Sequence, residues 1–141
     1  MIQIVYASAS VMRLSPAQLT LLLDQSRIRN ATYSVTGMLL YHNGSFLQVL
    51  EGPEFGVDRI FASIQRDSRH NSIKLLHRQP IVRREFADWS MSFIDTSAWP
   101  QSSPGKIDYR QMLPQLTDAP TTARRYLRLF QQGLCRQSII P

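Results

Sequence analysis

The dipeptide Asn43-Gly44 places the tightest local constraint on this chain. A two-residue hairpin loop needs φ > 0 at both positions, and Asn-Gly meets that need at low steric cost. The residues on either side are mostly apolar, so residues 35–53 predict two antiparallel strands. The short loop also fixes the register. His42 opposes Ser45, Tyr41 opposes Phe46, Leu40 opposes Leu47, and Leu39 opposes Gln48. One face then carries Gly37, Leu39, Tyr41, Phe46, Gln48 and Leu50, and the other Met38, Leu40, Leu47 and Val49. With both faces apolar, the hairpin belongs at the centre of a sheet covered on both sides. Gln48 is the anomaly. A buried amide without partners costs about 1–3 kcal/mol, so something polar must meet it.

The remaining elements follow from periodicity. Residues 2–7 predict a short strand with Ile2, Ile4 and Tyr6 on one face and Gln3, Val5 and Ala7 on the other. Tyr6 then buries its ring, and its hydroxyl needs a partner, ordinarily a backbone group. Ser15, Pro16 and Gln18 form a capping box with proline at the first helical position. Leu19, Leu22, Leu23 and Ser26 make one helical stripe, and Asn30 extends it by a turn. An Asn there either caps the helix C-terminus or points its amide into a pocket beneath the helix. A second helix places Val57, Ile60, Phe61 and Ile64 inward and ends in Asp67-Ser-Arg-His70, charges that suit a solvated helix end. Residues 73–82 predict a strand that Pro80 confines to an edge or a bulge. Residues 86–94 predict a fifth, with Trp89, Met91 and Phe93 opposite Ser90, Ser92 and Ile94. The order β-α-β-β-α-β-β defines an α+β, ferredoxin-like sheet with two helices on one face.

Beyond residue 95 the composition shifts to Ser, Thr, Pro, Gln and Asp. Ile107, Tyr109, Met112 and Leu113 suit a short helix over residues 107–113. Thr121 or Thr122 then caps a last helix with Ala123, Tyr126, Leu127, Phe130 and Leu134 as its apolar stripe. Arg124, Arg125 and Arg128 form its wet face and Gly133 its C-cap. Met38, Leu40, Leu47 and Val49 need a cover that the first two helices cannot give. C-terminal helices, or the same face of a second subunit, can supply it. The expected division is a sheet domain over residues 1–96 and a helical extension over 97–141, acting as sheet cap and as oligomer or partner interface. With 141 residues, 43% of them hydrophobic, one domain plus a modest extension is the natural scale.

Charge and motifs narrow the function. The net charge is +6, but the basic residues are scattered and no run of five occurs. The strands lack the Lys/Arg-Gly-Phe/Tyr pattern of an RNA-recognition surface. No apolar run approaches a membrane span and no secretory leader is visible, so a cytoplasmic protein is expected. Cys135 is the single cysteine, which leaves no intrachain disulfide or cysteine metal cluster. No Gly-rich phosphate loop, two-His metal spacing or hydrolytic constellation is present. What remains is a polar set aimed at the inner face: Tyr6, Asn30 and Gln48, with Trp89 and Met91 near by. A flat heteroaromatic ligand with carbonyl and N–H edges would satisfy those amides and fill an apolar slot.

At this point the chain resembles the BLUF domain, the blue-light sensor using FAD. The resemblance is carried by Val5-Tyr-Ala-Ser8, Asn30, Val35-Thr-Gly-Met-Leu-Leu-Tyr41, Gly44-Ser-Phe-Leu-Gln-Val-Leu-Glu-Gly-Pro53, Asp67-Ser-Arg-His70 and Phe86-Ala-Asp-Trp-Ser-Met-Ser-Phe93. Ser92 departs from the family's usual Gly. The resemblance implies an FAD cofactor, no enzymatic activity, and a photochemical pair. Tyr6 would give an electron and proton to the excited flavin, and Gln48, between Tyr6 and the flavin, would rearrange its hydrogen bonds. It implies that Asn30 holds the ring edge and that Asp67, Arg69 and His70 lie near the ring's outer end or the ribityl chain. Trp89 and Met91 would relay the change to the last strand, and thence to a downstream protein partner or across a homo-oligomer. Only about 45 residues follow the match, too few for a fused catalytic domain. Two alternatives stay open: a nucleic-acid-binding module using the arginines, and a flavin-dependent oxidoreductase.

Overall fold

The computed structural model describes residues 1–10, 14–68, 70–87, 92–95 and 121–134. Asn43 and Gly44 both adopt positive φ, at 47° and 90°, and close the predicted two-residue hairpin. It joins strand β2 (Thr36–His42) to strand β3 (Ser45–Gly52). The register is the one the turn demands, with His42 against Ser45 and Leu39 against Gln48. Close packing of the two strands leaves no room at Gly37, where a Cβ would run into the carbonyl oxygen of Val49.

Strand β1 (Ile2–Ser10) runs three residues further than its alternation predicts and is buried throughout. Helix α1 (Pro16–Thr32) starts at the capping box: the Ser15 hydroxyl accepts from Gln18 N–H, and the Gln18 side chain accepts from Ser15 N–H. Helix α2 is Glu54–Arg66, and strand β4 is His70–Pro80. Of the predicted fifth strand over 86–94, residues 88–91 lie outside the described residues, and the described strand, β5, is Ser92–Asp95. Phe86 and Ala87 instead belong to bends and a turn, because Phe86 N–H donates to the Glu51 carboxylate rather than to a strand neighbour. The terminal helix, α3, is Thr122–Gln131, with the Thr121 hydroxyl accepting from Arg124 N–H.

The sheet order is β4-β1-β3-β2-β5. β3 is central and antiparallel to both β1 and β2, β4 is an antiparallel edge, and β5 lies parallel to β2. Pro80 ends β4, and the β1–β4 pairing is irregular between Val5 and Tyr6 and between Ala7 and Ala9. Of the two alternatives for Pro80, the edge position holds: the strand is an edge and its pairing is regular at Pro80, the irregularities lying further along it. The two apolar faces separate as the alternation requires. Ile2, Ile4, Tyr6, Leu39, Phe46 and Leu50 pack with α1 and α2, through Leu19, Leu22, Leu23, Val57, Ile60 and Ile64. Val5, Ala7, Met38, Leu40, Leu47 and Val49 pack with Phe86 and with Ala123, Leu127 and Phe130 of α3. The ferredoxin-like sheet is thus covered on both faces within one chain.

Gly133, at φ 91°, ends α3. Its N–H donates to Phe130 O and that of Leu134 to Leu129 O, a Schellman closure. Leu134 then points to solvent at 55% exposure, so it is not the core residue that its spacing suggests. The expected helix over 107–113 lies outside the described residues.

Candidate functional site

Two neighbouring strands bring the key pair together. Tyr6 on β1 and Gln48 on β3 are direct cross-strand partners, and both side chains point to the α1/α2 face. The Tyr6 hydroxyl donates to Gln48 Oε1. The ordinary expectation of a backbone partner for Tyr6 gives way to a side chain. Tyr6 is 1% exposed and packs its ring on Phe61 at 5.2 Å between centroids. Gln48 is 3% exposed. Burial pushes the Tyr6 phenol well above its ordinary value, the Arg29 cation pulls it down by less, and the Asp67 anion adds to the rise. Tyr6 is therefore a proton-bearing donor throughout the physiological range.

A narrow cleft opens over this pair. Tyr6, Leu22, Ser26, Arg29, Leu39, Gln48, Ile64 and Asp67 line it. Leu22, Ser26 and Arg29 are four and three residues apart on α1, so the helical period turns all three toward the sheet. Ser26 donates to Leu22 O at 2.8 Å. Asp67 is the C-cap of α2 and closes the cleft from that side.

Asn30 resolves in favour of the inward reading. Tyr33, not Asn30, is the C-cap of α1. Asn30 is fully buried, and neither its Nδ2 nor its Oδ1 has a hydrogen-bond partner among the described residues. A buried primary amide left this way costs about 1–3 kcal/mol, and a ligand edge presenting both an acceptor and a donor would recover it. The residues present therefore fit a flat ring with a carbonyl and N–H edge.

Four of the sequence-derived site residues, Tyr6, Asn30, Gln48 and Asp67, are thus described. Tyr6, Gln48 and Asp67 line one cleft, and Asn30 adds its buried amide on α1. His70 begins β4 opposite Ser10, and only its backbone is described. Arg69, Trp89 and Met91 lie outside the described residues. Sequence reasoning missed Arg29, which it counted with the scattered surface arginines. The signal was available: Arg29 falls seven residues after Leu22 and three after Ser26, on the buried side of α1. Among the described residues, no group of His, Cys, Asp and Glu could hold a metal ion. No helix among them is long and apolar enough to cross a membrane.

A two-faced α+β sheet with a polar pair under a helix-covered cleft defines a small ligand-binding module of ferredoxin-like topology. The particular family is also defined: residues 1–92 match the BLUF family, "Sensors of blue-light using FAD", and the chain belongs to it. FAD is accordingly the family's cofactor. Photoactivated adenylate cyclase subunit beta of Euglena longa is 33% identical over 131 residues, covering 86% of this chain and 15% of that protein. The blue light- and temperature-regulated antirepressor BluF of Escherichia coli is 39% identical over 67 residues, 48% of this chain and 17% of that protein. The dark-state structure of BlrB, a BLUF protein, superposes with a TM-score of 0.68 at 29% identity, over 94% of this chain and 96% of that one. BlrP1 of Klebsiella pneumoniae gives 0.77 at 26% identity, over 93% of this chain but 34% of that one. The chain spans less than a fifth of these two curated relatives.

Proposed function

We propose that this chain is a blue-light receptor whose photochemical pair is Tyr6 and Gln48. The observation that carries the reading is the buried hydrogen bond from Tyr6 to Gln48 at the floor of a cleft, beside an Asn30 amide that lacks a partner. The flavin, when bound there, supplies blue-light absorption and an excited electron acceptor. Everything else is work for the chain's own side chains. Asn30 would hold the ring edge with its unpartnered amide. Tyr6, fixed by a strand and by Phe61, would be the side chain that gives up an electron and its phenolic proton. The Arg29 cation and the Asp67 anion, both in the cleft wall, set the local potential from opposite sides. Gln48 rotates or tautomerises its amide, exchanging acceptor for donor toward Tyr6 with almost no change of shape.

Arg69 and His70 are assigned to the outer end of the same ligand, and Trp89 and Met91 to the relay along the last strand. Residues 1–96 form the light-sensing domain in this reading, and 97–141 carry the signal to a partner protein or across a homo-oligomer. Because the light-driven change is small, output is a population shift between two packings. The arginines argue for this reading over nucleic-acid binding, since several are engaged internally. Arg78 pairs with Asp58 and Glu54, Arg84 donates to Ser34 O and Thr36 Oγ1, and Arg124 pairs with Glu85.

The test is the visible spectrum before and after blue light. The purified protein is expected to be yellow, with a flavin band that moves reversibly to the red without bleaching. Tyr6→Phe and Gln48→Ala should each keep the colour and lose the reversible shift. A normal shift in either variant would refute its assigned role.

A further inference from the structure

The two strands that carry Tyr6 and Gln48 carry a second hydrogen-bonded cross-strand pair on the opposite face. Gln3 and Glu51 are register partners, three residues along β1 and β3 from the first pair. An odd offset along a strand reverses the side, so this second pair looks toward α3 rather than toward the cleft. Both residues are fully buried. The Glu51 carboxylate accepts from Gln3 Nε2 at 2.9 Å, Glu85 N–H at 2.9 Å and Phe86 N–H at 2.7 Å. Gln3 Nε2 also donates to Glu85 Oε1 at 3.2 Å, and Gln79 Nε2 donates to Gln3 Oε1 at 3.2 Å. The other Glu85 oxygen meets Arg124 Nε on α3 at 3.4 Å, and the Arg124 guanidinium lies 6.0 Å from the Phe86 ring centre.

We infer that this Gln3–Glu51–Glu85–Arg124 network is a latch that carries the state of Gln48 through the sheet to the terminal helix. It is a route separate from one along the last strand, and it rests on the photoreceptor reading above. The physical reason is that a buried carboxylate cannot shed its donors singly. A hydrogen bond to a charged group is stronger than one between neutral groups, and a charge left partly unpaired costs more than a neutral group would. When the Tyr6–Gln48 contact changes, β1 and β3 shift relative to each other. Glu51 and Gln3 move with them, and the turn at residues 84–86 must follow its acceptor. That turn holds Glu85, the ion-pair partner of α3, and Phe86, which packs in the same cluster as Leu127 and Phe130. Arg124 is a positioning residue here. It touches neither Tyr6 nor Gln48, and its loss at the outer end of the network leaves the Glu51 bonds intact.

The experiment uses the full chain with its flavin and measures amide hydrogen exchange over residues 122–131 in darkness and under blue light. In the unaltered protein the two conditions are expected to differ. Arg124→Gln and Glu85→Gln should keep the dark spectrum and the full red shift while losing the light–dark difference in α3. Arg124→Lys, which keeps the charge, should restore it, a rescue that mere loss of packing would not give. The latch is overturned if the red shift is normal and α3 exchange does not respond to light, or if both neutral variants retain the response. Absence of the red shift itself takes down the photoreceptor reading, so the two failures are told apart by the spectrum alone.

Discussion

At the scale of single residues, the site is a set of unpaid electrostatic debts. Asn30 is the plainest: an amide at zero exposure with both ends unmatched. Replacing it with the similarly sized leucine removes an unsatisfied donor and acceptor. Asn30→Leu should stabilise the flavin-free protein by about 1 kcal/mol and weaken flavin binding at least tenfold, which is about 1.4 kcal/mol. Chemical denaturation of the stripped protein and a flavin titration check the two halves. Tyr6 makes a second prediction. Its folded-state pKa is raised above the ordinary 10.0. Below that pH both states hold the proton and it adds no pH dependence. Above it the unfolded chain releases the proton first, so stability falls by about 1.4 kcal/mol per pH unit from this group alone. Urea midpoints measured upward from pH 9 should fall more steeply for the unaltered protein than for Tyr6→Phe. These roles were partly legible in the sequence. Gln48 declared itself because an amide interrupts an apolar strand, and Asn30 because it extends an apolar helical stripe. Tyr6 did not, since a buried tyrosine usually settles for a backbone bond. Arg29 was hidden by its charge, which reads as surface until the helix phase is counted.

At the scale of elements, local rules decided most of the outcome. The capping box at Ser15, the Asn43-Gly44 turn and the Thr121 cap each appear as their residues demand. Alternation assigned every residue of the hairpin to its correct face. The misjudged pieces are those in which a distant partner overrules a local pattern. Phe86 and Ala87 fit the alternation of the predicted last strand, yet Glu51 holds the Glu85 and Phe86 N–H groups 34 and 35 residues away and keeps these two out of it. Leu134 keeps the helical spacing but falls beyond the Schellman turn, where the chain has already left the helix. For α3 the consequence is a strong dependence on few side chains. Phe130, at zero exposure, fills the cluster between the helix and Met38, Leu40, Leu47 and Val49. Phe130→Ala should cost about 3–5 kcal/mol, read as a lowered denaturation midpoint. Its effect on the flavin band should be small, because the sheet lies between them.

At the scale of the whole molecule, the sheet is a partition with different business on each side. The α1/α2 side holds the cleft, and the α3 side holds a mainly aliphatic cluster rimmed by the Gln3–Glu51 network. A chain ended at Asp95 bares Val5, Ala7, Met38, Leu40, Leu47 and Val49 together. It should be poorly soluble or associate through that face, visible by size-exclusion chromatography with light scattering. A fully soluble, stable monomer would show that α3 is not the needed cover. The arrangement also has a cost in time. The hydroxyl of Tyr126 bonds the carbonyl of Leu76, and the partner residues for that face precede it by as much as 120 positions or so. A growing polypeptide leaves the ribosome at roughly 5–20 residues per second, so the aliphatic side of a completed sheet waits for several seconds before its lid exists. Newborn copies should lean on holdase chaperones during that interval, far more than a protein whose lid is encoded between its strands.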